Sequence, residues 1–85
     1  MILTYHGVFK KNYQKLSKRL QDKFDERILL FQKDKFDPIL NNHALNGKYL
    51  GCRSINVTGD LRAVFKKEGD MITFIAIDSH SNLYG

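Results

Sequence analysis

The apolar pattern of this chain changes period once, and that switch limits the folds open to it. Ahead of Asp37-Pro38 apolar residues recur at helical spacing. Beyond Gly47 they run in β-branched and aromatic stretches broken by Thr58-Gly59 and Glu68-Gly69. Ile2, Leu3 and Tyr5 read as a short strand ending before Gly7. Phe9, Tyr13, Leu16 and Leu20 then stand three or four positions apart, with Lys10, Lys11, Lys15, Lys18 and Arg19 between them, which predicts one basic amphipathic helix. A second helix is expected with Asp22 as its N-cap, Asp25 and Glu26 in its first turn, and Phe24, Ile28 and Phe31 as its buried stripe. The residue before a proline is pushed out of helical angles, so Asp37-Pro38 closes the helical half, and a loop around Asn41, Asn42 and His43 follows.

The second half predicts strands from Tyr49 to Val57, Leu61 to Lys66 and Met71 to Ile77, joined by two hairpins into a meander. The expected class is α+β: two N-terminal helices on one face of a small twisted, mainly antiparallel sheet whose other face is partly open. With 85 residues the chain cannot bury two separate cores, so residues 1–85 read as a single domain. Its longest apolar runs, Ile28 to Phe31 and Ile75 to Ile77, fall far short of the roughly 18 residues of a membrane span. The start, Met1 to His6, lacks the parts of an export signal, and the lone Cys52 agrees with a reducing compartment. A cytoplasmic protein without membrane contact is expected.

A net charge of +5 suits a polyanionic partner, nucleic acid or an acidic protein, and equally suits solubility alone. The strand pattern offers a place for such a partner. Taking Glu68-Gly69 as a two-residue turn pairs Arg62 with Ile75 and Asp60 with Ile77. Leu61, Ala63 and Phe65 then share the core face with Ile72 and Phe74, and Arg62 and Lys66 take the other. A two-residue turn at Thr58-Gly59 sets Tyr49, Arg53 and Ile55 beside Arg62. Guanidinium groups interleaved with an aromatic suit single-stranded nucleic acid, the plain alternative being a solvated sheet face.

The same register brings Asp78-Ser79-His80 out beside Asp60, so that a histidine, two carboxylates and the arginines meet at one end of the sheet. Imidazole exchanges protons near neutrality, and with cations to hold a phosphate this set suits RNA cleavage through the ribose 2′-hydroxyl. There the nucleophile belongs to the substrate. The chain has no Gly-rich phosphate loop and no CxxC, and its three histidines are too scattered for a zinc set, so no metal or cofactor is expected.

Asn42-His43-Ala44-Leu45-Asn46-Gly47, Gly51-Cys52-Arg53-Ser54-Ile55, Gly59-Asp60-Leu61-Arg62-Ala63-Val64-Phe65 and Ser79-His80-Ser81-Asn82-Leu83-Tyr84-Gly85 together resemble the RelE/ParE toxins, most closely the YafQ branch. The resemblance spans roughly residues 37–85, and the helical half agrees in layout. It implies the RelE-like microbial RNase fold and a toxin of a bacterial toxin–antitoxin pair that enters the A site of the small ribosomal subunit and cuts messenger RNA. The products would be a 2′,3′-cyclic phosphate and a 5′-hydroxyl, and an antitoxin with an acidic or amphipathic C-terminal segment would neutralise the toxin.

The family's motif positions fall on His43, Asp60, His80 and Tyr84. Two departures stand out: Asn56 occupies a position where YafQ-like members carry histidine, and Ala76 one where they often carry arginine. Combining residues and resemblance, His43 and His80 are expected as acid and base, Asp60 as the group that orients one of them, and Arg53 and Arg62 as the phosphate holders. Lys66, Asn56 and Tyr84 are expected to touch substrate. Leu83-Tyr84 could equally anchor the tail in the core. The rivals are a ParE-like toxin that inhibits DNA gyrase by protein contact and a basic RNA-binding module without chemistry.

Overall fold

The computed structural model describes residues 1–84. Along the chain come β1 (Ile2–Tyr5), α1 (Gly7–Gln14), α2 (Lys18–Lys33), β2 (His43–Ala44), β3 (Arg53–Asn56), β4 (Leu61–Glu68), β5 (Met71–Ser79) and α3 (His80–Tyr84), with 3-10 turns at Pro38–Leu40 and Gly47–Tyr49. The strands form one sheet in the order β1-β5-β4-β3-β2, antiparallel except that β1 runs parallel to β5. This is the expected α+β class with a mixed sheet. No described helix is long and apolar enough to cross a membrane.

The helical half breaks earlier than its periodicity predicts. Phe9 to Leu20 is not one helix: Ser17 is extended (φ −60°, ψ 157°), and its hydroxyl accepts from Leu20 N–H at 3.3 Å, capping α2. The break is local chemistry, because a serine side chain offers the backbone an alternative to continuing the helix. Gln21 Nε2 donates to the Tyr13 carbonyl at 3.0 Å, satisfying one of α1's terminal acceptors across the corner. Asp22 is therefore not the cap expected of it and instead pairs with Lys18 one turn away at 2.7 Å. Asp37 caps the Pro38–Leu40 turn by accepting from Ile39 N–H at 2.9 Å. His6, at the head of α1, accepts from Val8 N–H through Nδ1 at 3.2 Å.

Register is where expectation and structure part most usefully. Glu68 pairs with Met71, so the β4–β5 turn is Gly69-Asp70, with Gly69 at φ +60° as the first position of such a hairpin favours. An irregularity between Val64 and Phe65 then shifts the ladder, so that Ala63 faces Ile77 and Arg62 faces Asp78. The β3–β4 loop holds three residues, Thr58 to Asp60, closed by Val57 N–H to Leu61 O at 2.8 Å. Thr58 Oγ1 accepts from Leu61 N–H at 2.9 Å within it. One residue more than the expected two-residue turn turns every β3 side chain to the opposite face. Arg53 now faces Phe65 and Ile55 faces Ala63, while Ser54 and Asn56 join Arg62.

The helix-covered face carries the main core: Phe9, Phe24, Phe31, Ile55, Ala63, Phe65, Ile72, Phe74 and Ile77 are all buried there. Ring centroids of Phe31 and Phe65 lie 5.1 Å apart and those of Phe9 and Phe24 5.3 Å apart, and each such buried ring contributes roughly 1.5–3 kcal/mol. The other face is less open than expected. Leu45, Cys52, Val64 and Leu83 form a second small cluster under α3, flanked by Tyr49, Ile75 and Ala76.

Candidate active site

Cross-strand partners share a face, so His43, Ser54, Val64 and Ala76 form one row on the side away from α1 and α2, and Asn56, Arg62 and Asp78 form the next. Rows on one face lie about 7 Å apart along the strands. Asp60 is the last loop residue before β4. There the backbone N–H of His80 donates to the backbone carbonyl of Asp60 at 2.9 Å, so the tail joins the β3–β4 loop as the sequence suggested. Ser79 holds α3 at this point, its hydroxyl accepting from Asn82 N–H at 3.2 Å, while Asp78 Oδ1 accepts from Ser79 N–H and from Asn82 Nδ2.

Arg62 is fixed by the same loop. Its Nη1 donates to the carbonyls of Thr58 at 2.9 Å and Gly59 at 2.8 Å, so neutral acceptors orient the guanidinium and its charge is not neutralised there. The main chains of Asp60 and His80 and the guanidinium of Arg62 thus meet where the Thr58 to Arg62 segment joins the first residue of α3. His80 packs edge-on to Tyr84 at 4.8 Å, and Tyr84 meets Tyr49 at 6.3 Å. Burial keeps the Tyr49 hydroxyl above its usual pKa, with Tyr84, Cys52 and Asp78 adding in the same direction. The tail pair divides its two possible roles: Leu83 is buried, and Tyr84 is 36% exposed over a hollow of about 240 Å³ shared with Asn46, Lys48 and Asn82.

His43 lies at the outer edge of the face, exposed, with Nδ1 2.7 Å from the Asn41 carbonyl. A carbonyl only accepts, so Nδ1 carries a hydrogen, and in the neutral ring Nε2 holds the lone pair. The two histidines approach from opposite sides of the face, His43 from β2 and His80 from the end of β5, with Arg62 on the strand between them.

Arg53 does not join this group. The flipped register sends it to the face opposite Arg62, where Nε donates to Asn42 Oδ1 at 2.8 Å and the guanidinium lies 5.6 Å from the Phe36 ring centroid. It anchors the segment leading into His43. Ile55 leaves the Arg62 face as well, while Tyr49 stays near it on a 3-10 turn. Lys66 keeps Arg62's face but stands four residues along, about 13 Å away, with Nζ 3.8 Å from Glu68. Asn56 sits directly beside Arg62, and its Oδ1 is buried without a partner, as is Ser54 Oγ. Thr58, Asn41 and Asn42 escaped sequence reasoning because they act through backbone and positioning bonds. Thr58 beside Gly59, and the Asn41-Asn42 pair after Asp37-Pro38, were their visible signals as turn residues. Among the described residues, no three His, Cys, Asp or Glu side chains gather as a metal site would require.

A family model described as the bacterial toxin of type II toxin–antitoxin systems, YafQ, matches residues 1–85. Solved structures agree in fold. YafQ from E. coli strain BL21(DE3) superposes with a TM-score of 0.82 at 21% identity over 98% of this chain and 97% of that one. A copper-bound mutant toxin from Helicobacter pylori gives 0.75 at 26% identity over 99% of each. YafQ in the E. coli DinJ–YafQ toxin–antitoxin complex gives 0.79 at 22% identity over 98% and 96%. No curated protein matches in sequence. Matched along its whole length by the family model, the chain belongs to the YafQ family of type II toxin–antitoxin toxins.

Proposed function

We propose that this toxin is a metal-independent endoribonuclease that cuts messenger RNA in the ribosomal A site, in the bacterial cytoplasm, and is held inactive by an antitoxin with an acidic or amphipathic C-terminal segment. The DinJ–YafQ complex supports the antitoxin partner by analogy. The observation that supports the reading is that the start of α3 at His80 is tied through its backbone to Asp60, on the loop whose carbonyls also hold the Arg62 guanidinium, with His43 across the same face.

Cleavage through the ribose needs the attacking 2′-oxygen and the departing 5′-oxygen on opposite sides of phosphorus, so base and acid must stand apart with the phosphate between them. His43 on β2 and His80 at the end of β5 stand on opposite sides of Arg62, and the proposed step brings both rings to one phosphate. In the proposed step His43 Nε2 takes the 2′-hydroxyl proton, the oxygen bonds to phosphorus, and the P–O5′ bond breaks as protonated His80 gives its proton to the leaving oxygen. Asp60 orients the His80 end. The Arg62 hydrogens not bound to the loop carbonyls meet the charge that builds on the non-bridging oxygens. Tyr84 and Asn56 are assigned in this reading to contacts with neighbouring nucleotides. Arg53 enters this mechanism only through the His43 segment, and Lys66 as a distal cation.

Mapping message ends after incubating purified protein with programmed ribosomes tests the reading. Wild type is expected to leave 2′,3′-cyclic phosphate ends, and His43→Ala and His80→Ala each to slow cleavage by about 10²–10⁴-fold. Intact message with wild type, or full cleavage by both variants, overturns it. Intact message together with gyrase inhibition would assign the ParE-like activity instead.

A further inference from the structure

A second cationic site opens on the helix side of the molecule. Arg19, Lys23 and Arg27 of α2 line one wall of a groove of about 370 Å³, and Asn56, Thr58 and Gly59 line the other. The three cations stand four residues apart, hence in one stripe rising about 6 Å per step. Glu26 is the carboxylate among them, 3.9 Å from Lys23 and 3.5 Å from Arg27. Asp22 and Asp25 turn elsewhere, to Lys18 and to the Tyr13 hydroxyl. Arg27 Nε also reaches the Val57 carbonyl at 3.4 Å, docking the helix against β3 beyond the end of β2.

We propose that this groove holds the phosphate backbone of the RNA next to the scissile bond, which extends the nuclease reading and rests on it. Continuity carries the proposal. Thr58 and Gly59 line the groove and their carbonyls also hold Arg62 Nη1, so the groove meets the Arg62 face around this loop, and a strand whose reacting phosphate lies at Arg62 can pass its neighbouring phosphates around the loop to the α2 stripe. An amphipathic peptide suits the groove less well, because its apolar lining is Ile39 and Val57, and Val57 is fully buried.

The test uses a single-stranded RNA with a 2′-deoxy residue at the mapped cleavage point, so that binding is read without cleavage. Anisotropy titrations across a salt series compare wild type with Arg19→Gln/Lys23→Gln, whose surface positions leave the melting temperature as a fold control. Losing two phosphate contacts should lower the slope of log K against log salt by about 1.4 and weaken low-salt affinity on the order of 10-fold. An unchanged slope overturns the proposal, as does wild type failing to bind at low salt. Affinity lost for an acidic antitoxin peptide but retained for RNA overturns it in favour of a protein site. Cleavage mapping with wild type is scored separately: cleavage with an unchanged slope sinks the groove alone, and no cleavage sinks the nuclease reading and with it the groove's place beside a scissile bond.

Discussion

Arg62 offers five N–H donors, and Nη1 commits its two to the Thr58 and Gly59 carbonyls, leaving three on Nε and Nη2. A guanidinium held this way can grip its own loop and a phosphate together. Lysine has three donors on one nitrogen and cannot span both. Arg62→Lys should therefore lower kcat for message cleavage by about 10²-fold, the scale of losing a fixed donor to transition-state charge, with KM and melting temperature nearly unchanged. Wild-type kcat in that variant would show that charge alone suffices. Single residues were unequally legible. His80, Asp60 and Arg62 were visible because their types carry chemistry and the tail leads to the loop. Arg53 was visible as a type and misplaced in space, since a charged side chain inside an alternating pattern does not say which face it takes.

At the scale of elements, α1 and α2 meet at a corner that periodicity alone could not show. The apolar spacing from Phe9 to Leu20 runs through Ser17 unbroken, yet the Ser17 hydroxyl and the Gln21 amide decide where one helix stops and the next begins. Tyr13 closes that corner by donating to Asp25 Oδ1 at 2.8 Å. Burial first, then this bond and the charge of Asp25, push its pKa up from 10.0 to about 12. The folded state thus favours the protonated phenol. Its stabilising share is complete below the unfolded value near 10 and is lost as pH climbs toward 12. Tyr13→Phe should melt slightly below wild type at pH 8, and the gap should close between pH 10 and 12, read by thermal melts at fixed ionic strength. A constant gap would mean that the hydroxyl contributes nothing through its ionisation. The β3–β4 loop teaches the complementary lesson. Three strands and two turns were readable from composition, but register hung on one loop residue, and sequence does not distinguish a two-residue turn at Thr58-Gly59 from the three-residue loop that includes Asp60.

For the whole molecule, the main core and the candidate catalytic residues lie on different faces of one sheet. Twelve buried residues form the cluster on the helix side, while the candidate catalytic face is closed by four, of which Leu83 is the contribution of α3. Ending the chain after Ser79 removes that leucine and costs roughly 1.5–3 kcal/mol of burial. A domain of this size commonly has about 5–10 kcal/mol in hand, so the sheet and its aromatic core should survive with a melting point lower by roughly 10–20 °C. Near-UV circular dichroism from the packed rings should persist, amides of β4 and β5 should stay protected from exchange, and message cleavage should vanish with His80. The same partition predicts that in the full chain the amides of residues 80–84 exchange through local opening, well before those of β4 and β5, which wait for global unfolding. If the shortened chain is unfolded at 25 °C, or the tail and the central strands exchange together, α3 is part of a single cooperative unit and the face that carries His80 also holds the fold.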